Sequence, residues 1–399
     1  MTVPTASLNT TPSAFIRPDA ADAVPTHLIT TPAQLVELAD RLKGAPSLAV
    51  DLEADSMFHF REKVCLVQLT DGREKYVIDP LAVPDLDPLK RFFGNPSIQK
   101  VLHGADYDVR SLYRDFGIEI QTLFDTELAC RFLGERQSGL NAVLQARFGV
   151  ALEKKYQKRD WSQRPLPPEM LAYAAADVSL LLPLAAALTA ELKAAGRLPW
   201  VEEECALLTQ VRAPENNAQP LFLRFKGAGR LDRGTLAVLE ALLQMRQTLA
   251  AQKDRPPFKV LSNAAVMKLA QARPRSLEAL NAAGALSPKQ VKMLAKAVLA
   301  AVAEASALPE SRLPRYPRTR AAGVGPEVTH RADALKRWRE KRGSALGLSP
   351  GLLCNNTLIM ALAVRNPRSP GELDCLPDLK NWQKQVFGDE ILRVLGKKP

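Results

Sequence analysis

The chain has 399 residues, 46% hydrophobic and 24% charged, a balance that excludes a disordered or fibrous protein and predicts two or three globular domains. Its net charge of +11 is unevenly spread: residues 1–229 hold 25 Lys+Arg against 29 Asp+Glu, and residues 230–399 hold 29 against 14. An acidic half precedes a strongly basic one, which favours a polyanionic partner, nucleic acid being the simplest.

Residues 1–25 are rich in Thr, Pro and Ala, without a basic start or an apolar core, and read as a flexible leader. The lack of a signal predicts a cytoplasmic protein. Five scattered cysteines (Cys65, Cys130, Cys205, Cys354, Cys375) show no CxxC spacing, which argues for free thiols and against structural zinc. The apolar run from Val178 to Ala190 is interrupted by Ser179, Pro183 and Thr189, so no membrane span is expected.

From Thr26 the pattern predicts a strand, then a helix with Thr31 as N-cap and Gly44 as stop. The strand-like runs SLAVDLE, VCLVQLTD and KYVIDP follow, the last two separated by a turn at Asp71-Gly72. Next come a helix near Asp87–Phe93, a strand KVLHG, a helix over Tyr107–Phe116 and a strand LFDT. Helices are then expected over Thr126–Leu133, Gly139–Phe148 and Pro168–Ala194. Strands first, then alternation, predict a mixed α/β sheet with helices on both faces for residues 26–212. Residues 213–229 read as a linker, 230–307 as an all-helical unit, 308–331 as a Pro/Arg linker and 332–399 as a second helical unit. The two units match in the order of their parts, each opening with a basic amphipathic helix, and read as degenerate copies of one plan.

Four carboxylates stand where a carboxylate is costly. In SLAVDLE the side chains alternate, so Asp51 and Glu53 share one face of a strand. Like charges so close do not both stay ionised without a cation between them. Asp108 starts a helix after KVLHG, where an N-cap or first-turn aspartate is the simplest account. Tyr173 and Asp177 lie at i and i+4, on one face of a helix opened by Pro167-Pro168. Singly each has an ordinary explanation; if they converge, hard divalent cations are the natural neutralisers, and chemistry on phosphates follows.

In this order the residues resemble the DEDD exonucleases, and within them the ribonuclease D family of the tyrosine subtype. The resemblance spans roughly residues 25–210 and rests on the DxE strand, HGADYD, FDTELACRFLG and above all DWSQRPLPPEMLAYAAADVSLLLPL. Five positions before Asp177, where the histidine subtype carries its histidine, stands Ala172. The helical units resemble HRDC domains, the first more than the second. The resemblance implies an α/β mixed-sheet exonuclease domain of ribonuclease H-like fold, followed by HRDC-like helical domains. It implies that Asp51, Glu53, Asp108 and Asp177 hold two Mg²⁺ or Mn²⁺ ions, with Tyr173 orienting the attacking water.

The implied activity is 3′-5′ exoribonucleolytic release of nucleoside 5′-monophosphates, on tRNA precursors or other structured RNA. The alternatives are a 3′-5′ DNA exonuclease or a non-catalytic nucleic-acid-binding protein. No obligate protein partner is evident. Candidate RNA contacts are His103, Lys158, Arg164 and Trp338. Each has a competing structural role: His103 as a packed strand-end histidine, Lys158 and Arg164 as a solvated charge run, Trp338 as a core aromatic. Asp125 reads as a helix N-cap and Trp161 as an anchor.

Overall fold

The computed structural model describes residues 24–213, 219–317 and 325–396. The expected leader up to residue 23, and the linker stretches 214–218 and 318–324, lie outside the described residues. Two compact units form. The first holds the described residues to Glu53, Val64–Ala213 and Gly325 onward; the second holds Ala54–Lys63 and the described residues between Pro214 and Val324.

The first unit is built on a six-stranded sheet of order β1-β4-β3-β2-β5-β6. The strands are β1 (Thr26–Ile29), β2 (Ser47–Ala54), β3 (Val64–Thr70), β4 (Lys75–Ile78), β5 (Gln99–Leu102) and β6 (Leu123–Asp125). β3 and β4 pair antiparallel, whereas β1–β4, β2–β5 and β5–β6 are parallel, so the sheet is mixed as expected. Every residue of β3 is buried, as a central strand covered on both faces requires. Helix α1 (Pro32–Arg41) starts at the predicted Thr31, whose side chain and that of Gln34 form a reciprocal capping box. Helices α2 (Asp87–Phe93), α3 (Asp106–Phe116), α4 (Thr126–Leu133) and α5 (Leu140–Phe148) follow the expected alternation.

One expected helix is two. The run Pro168–Ala194 breaks at Leu180 into α6 (Pro168–Ser179) and α7 (Leu181–Ala194). Pro183 has no N–H to give the Ser179 carbonyl four residues back, and its ring would clash with it. By length and hydropathy this 27-residue run is sufficient to cross a bilayer, contrary to the expectation from its interruptions. In this fold Met170, Ala174, Val178, Leu181, Leu184 and Leu188 are core residues, and the run packs on β3, β4 and β5. A further helix, α8 (Leu198–Leu208), had no counterpart in the sequence reading.

In the second unit, α9 (Arg233–Gln252), α10 (Pro257–Val260), α11 (Asn263–Ala272), α12 (Leu277–Ala282) and α13 (Pro288–Ser306) enclose their own core of Leu239, Leu242, Leu269, Val298 and neighbours. The second helical copy, α14 (Pro326–Leu346), α15 (Pro350–Leu353), α16 (Asn356–Arg365), α17 (Pro370–Asp374) and α18 (Asn381–Gly396), instead belongs to the first unit and shares its core. Trp382 of α18 stacks on Trp200 of α8 at 5.0 Å between ring centroids. The Glu203 carboxylate accepts from the backbone N–H groups of Asn381 and Trp382, at the start of α18.

Candidate active site

A cleft of about 860 Å³ opens beside β2, lined by Asp51, Glu53, His103, Tyr173 and Asp177 among others. Strand alternation presents Asp51 and Glu53 on one face while Leu52 between them is 8% exposed. The helical spacing of α6 brings Tyr173 and Asp177 to the same opening. Asp108, only 7% exposed, lies behind this lining in the first turn of α3. Of the two roles the sequence offered, it takes the first-turn one: Ala105 occupies the N-cap position, and no side chain caps the helix there.

Another aspartate does the capping. The Asp125 carboxylate accepts from Glu127 and Leu128 N–H at the start of α4, and also from the N–H groups of Gly104 and Ala105, all within 2.8–3.3 Å. It therefore fixes two turns at once, including the one that launches Asp108.

The four candidate carboxylates share one electrostatic condition. Burial pushes Asp51 and Asp177 well above the usual carboxylate range, and Asp51 raises Asp177 further. Burial and then the Asp51 charge raise Asp108. Burial, followed by the charges of Asp51, Asp177 and Asp108, pushes Glu53 up to about 10. Among the described residues none of the four is in an ion pair with Lys, Arg or His. Nor are any three Asp, Glu, His or Cys side chains there gathered into a ready-made metal cluster. The carboxylates thus feel one another's field without closing a coordination sphere. Hard divalent cations fit this oxygen-only, charge-starved donor set.

Tyr173 is held by its ring. Tyr156 meets it edge-on at 5.7 Å and Trp161 lies tilted at 6.0 Å, both in the segment before α6. Trp161 is 1% exposed, an anchor as expected. Burial, then the Asp177, Glu53 and Asp51 charges, raise the phenol's pKa, so its hydroxyl keeps its proton.

The candidate RNA contacts divide. His103 lines the cleft, with Nδ1 2.9 Å from Thr126 Oγ1. Burial lowers its pKa, so at neutral pH it brings no positive charge to a phosphate. Lys158 is exposed and not among the cleft-lining residues. Arg164 is not a free backbone contact but is committed to the fold, paired with Asp79 and hydrogen-bonded to the Cys65 and Trp161 carbonyls. Trp338 is not a stacking platform: its Nε1 donates to Glu390 and its ring packs edge-on against Phe387. The sequence reading missed Glu127, Gln137, Asn141, Gln145 and Lys154, which also line the cleft; Glu127 lies inside the quoted FDTELACRFLG stretch but was not singled out.

A mixed-sheet domain with an acidic cleft at its β2 strand, joined to repeated helical units, defines a nuclease-type class. Residues 26–193 match the 3′-5′ exonuclease family, and residues 235–302 and 329–395 each match the HRDC domain. The chain is 31% identical over 366 residues to ribonuclease D of Pseudomonas paraeruginosa, covering 91% of this chain and 96% of that one. It is 33% identical over 290 residues to ribonuclease D of Escherichia coli, covering 72% and 77%. The crystal structure of Escherichia coli RNase D superposes with a TM-score of 0.71 at 29% identity, covering 94% of this chain and all of that one. The chain belongs to the ribonuclease D family.

Proposed function

We propose that this family member trims RNA from the 3′ end by metal-dependent hydrolysis, releasing nucleoside 5′-monophosphates from structured RNA such as tRNA precursors. The observation that carries this is a set of four carboxylates without cationic partners among the described residues: Asp51, Glu53 and Asp177, half-buried along one cleft, and the buried Asp108 within their field. These four would hold two Mg²⁺ or Mn²⁺ ions, which when bound supply a water of lowered pKa and neutralise charge on the phosphate. Tyr173, protonated and caged by Tyr156 and Trp161, orients the attacking water through its hydroxyl and does not serve as its base. Asp51 and Glu53, whose pKa values burial raises, would give up their protons in holding cations. The basic second half supports a polyanionic substrate, and the RNA in the relatives' names supports RNA over DNA. The same reading places the protein in the cytoplasm, in keeping with five free cysteines.

The test measures nucleotide release from a 3′-extended tRNA beside a matched single-stranded DNA, with and without EDTA and in Asp177→Asn. Release should require both the metal and Asp177, with RNA binding retained in the variant. Hydrolysis that survives either change overturns the metal reading, and equal rates on DNA overturn the choice of RNA.

A further inference from the structure

A second polar cavity, about 570 Å³, lies within the first unit where the second helical copy meets the sheet domain. One wall is the last turn of α4 with Arg131 and the loop after it with Arg136 and Ser138; the other is the end of α14 and the turn beyond it, with Ser344 and Ser349. The seam is built closely. A Cβ on Gly134 (φ +90) would overlap the Gly347 carbonyl, so only glycine fits there. Arg197 bridges the two sides, donating to the Phe132 carbonyl and to the Leu346 carbonyl, each at 2.8 Å.

The charge in this cavity is unbalanced. Its one carboxylate, Glu135, is already paired with Arg147, which also holds Glu191. The Arg131 and Arg136 side chains make no ion pair or hydrogen bond among the described residues, and Ser349, at the N-cap position of α15, makes no side-chain capping bond. Two unspent guanidinium groups facing hydroxyls in a polar pocket suit a phosphate, which planar Arg binds through two oxygens. The wall is also shared. Gln137 and Gly139 of the same six-residue loop line the catalytic cleft, whereas Arg136 and Ser138 line this cavity. Ser138 ties the loop to the cleft by donating to Glu127.

We propose that this cavity binds a backbone phosphate of an RNA strand whose 3′ end occupies the catalytic cleft, so that the second helical copy completes the substrate site. The proposal rests on the RNA-trimming reading above. It gives that helical copy a role in gripping substrate at a distance from the chemistry.

The test compares wild type with Arg131→Gln/Arg136→Gln on a long 3′-extended RNA and on a dinucleotide too short to reach both sites. On the long RNA, KM should rise about tenfold and the slope of log(kcat/KM) against log[salt] should flatten by about 1.4, two contacts at about 0.7 each. On the dinucleotide, kcat and KM should not change, and Arg131→Lys/Arg136→Lys should recover most of the lost affinity. An unchanged KM on long RNA, or an equal rise on both substrates, overturns the site. Titration with inorganic phosphate separates the sources: phosphate binding lost in the Gln variant with long-RNA KM unchanged means a free-anion site and also overturns the proposal. Should wild type release nothing even from the dinucleotide, the trimming reading itself fails.

Discussion

Arg164 meets Asp79 through two parallel hydrogen bonds, Nε to Oδ2 at 2.6 Å and Nη2 to Oδ1 at 2.7 Å. Asp79 follows β4 directly, and Arg164 sits between the Trp161 anchor and the start of α6, so the pair fastens the segment that cages Tyr173. The charge that looked available to RNA in the sequence is therefore a fastening. Arg164→Ala leaves a nearly buried Asp79 without its partner, a change that costs about 3 kcal/mol. Denaturant unfolding should show that loss, with kcat falling as the Tyr173 cage loosens. Arg164→Lys, which cannot form the two-point pair, should recover only part of it. Wild-type stability in Arg164→Ala would exclude the fastening role.

Tyr173→Phe separates the hydroxyl from the ring. The ring contacts with Tyr156 and Trp161 survive this change, so stability should move by less than about 0.5 kcal/mol. Catalysis loses the group that orients water, and kcat should fall about a hundredfold with little change in KM. A drop in stability comparable to a core mutation would show that the hydroxyl serves the fold instead.

The carboxylates predict an inverted pH dependence for the metal-free protein. Their folded pKa values lie above the unfolded ones, so the folded state binds more protons than the unfolded state. The stabilisation is fully present below the unfolded carboxylate range and is lost as pH rises, through to about 10 for Glu53. Inside that window each carboxylate removes at most about 1.4 kcal/mol per pH unit. Melting in EDTA should give a transition temperature that falls from pH 5 to pH 9. Added Mg²⁺ should raise it most at the alkaline end, and Asp51→Asn should flatten the slope. A metal-free transition temperature that climbs over this range contradicts the electrostatics of the site.

Much of the site was legible because it follows the periods of regular structure. Asp51 with Glu53 keeps the period of a strand, and Tyr173 with Asp177 keeps that of a helix. What was hidden depends on partners far along the chain. Asp125 could be read as a cap for α4, but its hold on Gly104 and Ala105, about twenty positions earlier, follows only from β5 and β6 lying side by side. Arg164 looked free because Asp79 is 85 positions away. The break at Leu180 was readable in principle from Pro183, but the apolar character on both sides hid it.

Asp125 gives a prediction of its own. Four backbone N–H groups from two turns converge on one carboxylate. Asp125→Ala strands them in a site where Ala105 and Thr126 are fully buried, which costs about 2–4 kcal/mol. Asp125→Asn keeps one acceptor oxygen and should cost less. Because Asp108 leaves the same turn, both variants should also lower apparent Mg²⁺ affinity, read as the concentration giving half-maximal rate. Stability loss without a change in metal dependence would restrict Asp125 to the fold.

The second helical copy should prove inseparable from the sheet domain. Trp382 is 2% exposed, stacked on Trp200, edge-on to Phe132, and donates Nε1 to Glu204 at 3.0 Å. Lys380 pairs with that same Glu204, and Glu203 caps the start of α18, so α8 is a seat shaped for this one helix. Trp382→Ala removes a buried aromatic and should cost about 3–5 kcal/mol. Truncation after residue 324 should do more, since it bares Trp200, Phe132 and their apolar neighbours to solvent. The truncated chain should then bind a hydrophobic dye and melt well below the full chain. A truncated chain that binds no dye and melts as the full chain does would show the second copy to be a removable appendage. In that case the cavity at its seam could not be part of a fixed substrate site.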